Sequence, residues 1–434
     1  MLISRRKMLL GTIAGFSLPR SSTASNPKHT LRPAPMSVRW GRKSNRMSGF
    51  LGFNGSVPGP ELRYRQGDQL DVRLENGMED GALVHWHGVR VPNQMDGVSI
   101  LSQEVVPPGG HYDYKFALPD AGTFWYHSHY MSYEQVGRGL FGPLVVEEHD
   151  PPVVDHDIIA MLADFRTSAD GMLDTDFSAL DDFGREGRLG NMTRVFLSRN
   201  SVQKGDRVRL RLVNAAIDRV FRLDLGGIAG AIVAIDGMPL ETPTQLQPLI
   251  LAPAQRIDII GIAETEISFN LRNRNSQASV ASISLEGQNP SPDRSPIPAL
   301  PKHNLRKPGR ISQSLELLMR GGEGDRNHSG HSSWAFNGVS GLPNRPFGKF
   351  RRGETARLIL LNPTGFSHGI HMHGHHFREI TDNGTLGPLR DTLLVASGET
   401  REIVCVFDNP GRWLLHCHML SHSADGMATW VEVS

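Results

Sequence analysis

The sequence predicts an all-β protein, and three features carry that expectation. Glycine and proline are plentiful, 46 and 28 residues, and aromatics are modest, as suits many short strands joined by turns. Short apolar runs alternate with turn signals such as Val57-Pro58-Gly59-Pro60 and Pro107-Pro108-Gly109-Gly110. The run Asp206-Arg207-Val208-Arg209-Leu210-Arg211-Leu212-Val213-Asn214 alternates with period two, the mark of a strand with two unlike faces. A length of 434 residues suits about three domains, and no apolar run is long enough to span a membrane.

Residues 1–25 read as an address rather than as structure. Ser4-Arg5-Arg6-Lys7-Met8-Leu9-Leu10 is a twin-arginine pattern, followed by an apolar stretch to Leu18, Pro19 and the small residues Ser21 to Ser25, with cleavage expected near Ala24. Such a signal implies a bacterial protein exported already folded, to the periplasm or beyond, with no membrane anchor after cleavage. Losing Arg5, Arg6, Lys7 and Arg20 leaves 42 basic residues against 45 acidic. A mildly acidic chain gives no footing for nucleic acid.

A first all-β domain is expected over 35–150, with strands at Gln69–Leu74, Leu83–Val89, His111–Leu118 and Leu144–Glu148. A second, over 155–290, has strands at 206–214, Arg219–Leu225, Ala231–Ile235 and Arg256–Ile262, with Asp236-Gly237 as a turn. It contains one histidine, His156, and no cysteine, so it reads as a scaffold between the outer domains. The stretch Gly287 to Gly309 has prolines at 290, 292, 296, 298, 301 and 308, so 291–309 is expected as an extended, semi-rigid linker. The third domain, 310–434, opens with Leu315–Met319, passes a Gly-rich loop holding His328 and His331, and resumes at Trp334-Ala335-Phe336. That loop reads as solvated.

The chemistry concentrates in His416-Cys417-His418-Met419-Leu420-Ser421-His422-Ser423-Ala424-Asp425-Gly426-Met427. If Trp413–Met419 is a strand, His416 and His418 project to one side and Cys417 to the other, so one strand serves two sites back to back. A His/Cys/His set with a long axial thioether is the donor set of a blue-copper centre, and Cys417, His422 and Met427 supply three of its four members. Three more His-x-His pairs lie upstream: His85/His87, His127/His129 and His371/His373. With His416/His418 they give eight imidazoles, the number a three-copper cluster needs, and His368 is left to complete the blue site. Zinc suits this poorly, because a structural zinc site closes with four ligands. Of the two cysteines, Cys405 then has no partner, and its strand-like surroundings read as a buried structural thiol.

These four motifs, in this order, resemble those of the multicopper oxidases, over nearly the whole mature chain. The resemblance implies three cupredoxin-like Greek-key β-sandwich domains, the middle one without copper, and four copper ions. It implies a type 1 copper on His368, Cys417, His422 and Met427, and a type 2 copper on His85 and His371. The type 3 pair would take His87, His127 and His418 on one ion and His129, His373 and His416 on the other. Asp96, in Met95-Asp96-Gly97, would be a carboxylate that feeds protons to the cluster. A reducing substrate would give electrons one at a time through the exposed edge of His422, and they would pass along Cys417 to a cluster where O2 becomes water.

Met427 as axial ligand implies a modest potential, hence easily oxidised donors: phenols, aromatic amines, or cuprous or manganous ions. The methionine-dense segment of some cuprous oxidases is missing. Relatives often carry an acid directly after the last blue-site histidine; here that position is Ser423, and Asp425 is the nearest substitute. The chain is expected to be a monomer whose partners are O2, the donor and the twin-arginine export machinery. Two other classes share the architecture, a copper-binding tolerance protein without turnover and a copper-free relative in cell division. Retention of all twelve ligands argues against the second.

Overall fold

The computed structural model describes residues 28–40, 46–272, 276–323 and 332–434, and their regular secondary structure is almost all strand. The twin-arginine leader and the loop histidines His328 and His331 lie outside the described residues.

In the first third, a sheet runs in the order Leu62–Arg65, Phe141–Glu147, Gly122–Ser128, Val84–His87, beside a three-stranded sheet of His29–Leu31, Gln69–Glu75 and His111–Ala117. Gln69–Glu75 buries alternate residues, as a strand with one face on a core must. Val84–His87 is shorter than the sequence implied. Gly88 ends it at φ +85°, where any Cβ would collide with the Arg256 guanidinium.

The middle third forms a nine-stranded sheet. Arg219–Leu225 and Ala231–Ile235, expected as two strands, are parts of a single bent strand, Phe221–Ile235, whose register slips between Gly226 and Ile228. Gly227 allows the bulge, because at φ +81° a side chain there would strike the Glu266 carbonyl. The last third holds a six-stranded sheet and a five-stranded one containing His368–Met372, Gly411–Cys417 and Ala428–Val433. The strand expected to reach Met419 stops at Cys417, and the chain turns into the short helix Leu420–Ala424.

One hydrophobic cluster runs through the first and last thirds together, from Leu31, Trp86 and Leu144 to Leu317, Trp413 and Val431. The middle third has its own, around Ile158, Leu210, Ile259 and Phe269. This shared core is why the two ends of the sequence meet. Between Gln288 and Ile311 the proline-rich chain forms no helix or strand. It lies along the middle sheet, where Leu300 packs with Val233, Ala234 and Ile260. Among the described residues no helix is long and apolar enough to cross a membrane.

Candidate metal centres

Both centres are set by strand register. His368–Met372 pairs with Gly411–Cys417 so that Ile370 faces Cys417 and His371 faces His416. Val84–His87 pairs with Gly122–Ser128 so that His85 faces His127. Alternation then sends Cys417 to one side of its strand and His416 to the other.

On the first side, Cys417 Sγ lies 3.7 Å from His368 Nδ1 and 3.8 Å from His422 Nδ1, and the two Nδ1 atoms are 3.0 Å apart. All three side chains are fully buried. The outer nitrogens are occupied: His368 Nε2 is 2.9 Å from Thr364 Oγ1, and His422 Nε2 donates to the Arg185 carbonyl at 2.7 Å. Each ring therefore turns Nδ1 toward the thiol. Met427 is buried, and its carbonyl accepts the Cys417 N–H at 3.1 Å. A thioether the sequence reading passed over, Met419 Sδ, stands 3.8 Å from Cys417 Sγ.

The expected exposed edge of His422 is not there. The Trp334 indole tilts over the ring at 4.3 Å, and the segment after the helix Leu180–Gly184 covers its Nε2. The cover comes from the middle domain, which the sequence reading treated as scaffold.

On the second side, three trios bring their ring nitrogens within 4.8 Å of one another: His85/His87/His127, His85/His371/His373 and His129/His373/His416. His418 joins them, with ring centroids 5.0 Å from His87 and 5.2 Å from His127. The outward nitrogens are again taken by acceptors. His85 Nδ1 donates to the Asp96 carbonyl, His127 Nδ1 to that of Ser128, His371 Nδ1 to that of Asp391 and His416 Nδ1 to that of Cys417, each at 2.9 Å. Among the described residues no hydrogen-bond partner meets the inward Nε2 of His85, His127 and His371, Nδ1 of His87, or either nitrogen of His418. Buried polar atoms rarely stay unpaired, and so many converging on one point fit metal ligation. Burial, reinforced by neighbouring imidazoles, lowers the pKa of His129 to about 3 and holds His87, His127, His373, His416 and His418 well below the usual range. Near neutral pH these rings are uncharged, as ligands must be.

Asp96 is no ordinary turn residue. It follows the short helix Asn93–Met95, is fully buried, and puts its carboxylate 2.9 Å from His373 Nδ1 and 3.2 Å from His85 Nδ1. Gly97 makes that possible: at φ +78°, a Cβ would collide with the Val84 carbonyl, one residue before His85. Gly97→Ala is expected to cost about 2 kcal/mol or more and to lower the copper retained on dialysis, read by thermal denaturation and metal analysis.

A second carboxylate escaped the sequence reading. Asp391 Oδ1 lies 3.2 Å from His87 Nε2, and the same carboxylate takes both Arg256 terminal nitrogens, at 2.9 and 2.6 Å. Burial disfavours its charge, yet Arg256 and His87 hold its pKa well below the usual carboxylate range. Asp236 forms the predicted turn and does more: its carboxylate accepts the N–H of Arg256 at 3.0 Å and of Asp391 at 3.3 Å. Burial and the nearby Asp391 push Asp236 up to about 6. The middle domain therefore braces the imidazole cluster.

Ser423 Oγ is 3.3 Å from His416 Nδ1. Asp425, the suggested substitute acid, instead accepts the Trp334 backbone N–H at 3.0 Å on the Cys417 side. Cys405 is a buried thiol, as expected, against Met372 Sδ and the His376 carbonyl.

Three sequence-family profiles described as multicopper oxidase match residues 37–151, 151–283 and 312–434. The multicopper oxidase MmcO of Mycobacterium tuberculosis is 28% identical over 93% of this chain and 86% of its own length. A solved structure from a marine microbial metagenome is 46% identical at a TM-score of 0.81, covering 93% of this chain and 99% of that one. A multi-copper oxidase from Pseudomonas thermotolerans is 32% identical at a TM-score of 0.83, covering 93% and 98%. With both sites assembled and the matches spanning all three domains, the chain belongs to the multicopper oxidases, copper-dependent oxidoreductases that use O2 and a reducing substrate.

Proposed function

We propose that this chain couples one-electron oxidation of a small reducing substrate at a type 1 copper to four-electron reduction of O2 to water at a trinuclear copper cluster. Four copper ions are held in this reading. His368, Cys417 and His422 would hold the type 1 ion, with Met427 as a fourth donor by its offset in the motif. His85 and His371 hold the type 2 ion, and His87/His127/His418 and His129/His373/His416 hold the type 3 pair. One observation carries it: Cys417 Sγ faces two imidazoles on one side of the strand, while His416 joins the eight-imidazole cluster on the other.

Bound copper supplies reversible one-electron chemistry at the first site and O2 reduction at the second. The chain supplies wiring, geometry and protons. Cys417 is joined through one peptide bond to His416 and through another to His418, so the covalent path between the sites is short. Asp96 and Asp391 are the carboxylates bonded to cluster imidazoles among the described residues. Both Asp391 oxygens are committed to Arg256, so Asp96 is the group assigned to proton delivery.

Loading the first site is expected to release one proton. Burial pushes the Cys417 thiol up to about 12 and lowers His422 to about 4, so near neutral pH only the thiol has a proton to lose. Protons compete with the metal for the thiolate, so apparent affinity rises with pH by about tenfold per unit below that thiol pKa. Potentiometric titration during loading measures this, and an affinity indifferent to pH counts against Cys417 as ligand.

The leader sequence supports export through the twin-arginine machinery to the periplasm, where the chain is proposed to work as a monomer. A visible spectrum of the loaded protein, followed by oxygen uptake with both hexacyanoferrate(II) and a phenolic dye as donors, tests the whole reading. A colourless protein sinks it, and colour without uptake marks a copper-binding tolerance protein instead. Assays comparing phenols, aromatic amines, cuprous ion and manganous ion then identify the donor.

A further inference from the structure

Three consecutive carbonyls of the middle domain are taken by three donors from the last domain. The Trp334 indole N–H donates to Phe183, the Glu323 backbone N–H to Gly184 at 2.7 Å, and His422 Nε2 to Arg185 at 2.7 Å. The Arg185 guanidinium also meets the Glu323 carboxylate at 2.6 Å, but that pair is largely exposed and adds little. Beyond Arg185, Gly187 at φ +96° folds the chain so tightly onto Asp218 that any Cβ there would collide with the carboxylate. The strap is therefore fastened on both sides of Arg185, directly over the ring nitrogen that would otherwise meet a donor.

We infer that segment 183–187 determines donor specificity. It admits outer-sphere donors, each of which would pass one electron by way of the Arg185 carbonyl and the His422 ring to a bound cupric ion, with no bond formed and no proton moved. It disfavours phenols, whose hydroxyl is kept from the ring nitrogen that the Arg185 carbonyl occupies and whose oxidation must also release a proton to solvent. The inference rests on the oxidase reading above.

Two variants loosen the strap without removing a ligand. Trp334→Phe keeps a ring over His422 but lacks the N–H that holds Phe183, and Gly187→Ala forces the turn off Asp218. Metal-free protein is treated with diethylpyrocarbonate at neutral pH, and His422 is read by peptide mass mapping against the exposed His111. His422 should be spared in the unsubstituted protein and modified on the order of tenfold faster in the variants. In copper-loaded protein, kcat/KM for a phenol should rise by a similar factor relative to hexacyanoferrate(II), with the visible band retained. The inference is overturned if unsubstituted His422 reacts like His111, if the variants leave it protected, or if the ratio stays fixed once it is exposed. A loaded protein without colour sinks the oxidase reading and the inference with it, and the labelling result shows which of the two failed first.

Discussion

Cys417→Ser is expected to bleach the visible band and to lower turnover with any reducing substrate by roughly a thousandfold or more, about 4 kcal/mol on the barrier. Serine is close in volume and the site is fully buried, so the fold should survive. What changes is the donor atom. A neutral hydroxyl is a hard, poor ligand where two imidazoles leave room for a soft thiolate, and it gives up its proton far less readily. The cluster ligands His416 and His418 keep their backbone positions, because Ile370 and His371 still fix the register of the strand. Metal analysis should therefore report one copper fewer per chain, with electron paramagnetic resonance still detecting the type 2 ion. Colour retained in this variant would mean that the thiol is not the ligand.

The proposed ligands were legible because their geometry is local. In an extended strand, His-x-His aims both rings one way, and that rule needs no knowledge of the fold. Cys417 between His416 and His418 carries the two-sided arrangement in three consecutive letters. The supports were not legible, because they join residues far apart in sequence. Asp391 meets His87 across 304 positions and Arg256 across 135, and nothing in Arg390-Asp391-Thr392 distinguishes it from a surface turn. The cover on His422 Nε2 was hidden for a different reason: it is a backbone carbonyl, which every residue has. The same holds for the bulge that fuses two expected strands into Phe221–Ile235, since Gly227 reveals its role only once Glu266 is beside it. Even the middle domain, read as a scaffold, could not be seen reaching into both sites.

That reach makes the other large prediction. Arg256, Asp391 and Asp236 are fully buried, and Arg256 is the cation that neutralises Asp391. Arg256→Met is expected to destabilise the metal-free protein by about 3–5 kcal/mol, because it strands a buried carboxylate rather than merely deleting a contact. Adding Asp391→Asn removes the stranded charge and should restore much of that stability. It should not restore metal binding. His87 loses the carboxylate that fixes its ring through Nε2 and leaves Nδ1 facing the cluster, which costs roughly 10- to 100-fold in copper affinity. Denaturation curves without metal and copper retention after dialysis separate the two effects. If the double variant regains full copper retention, the carboxylate serves packing alone, and the middle domain is no more than the scaffold its sequence suggests.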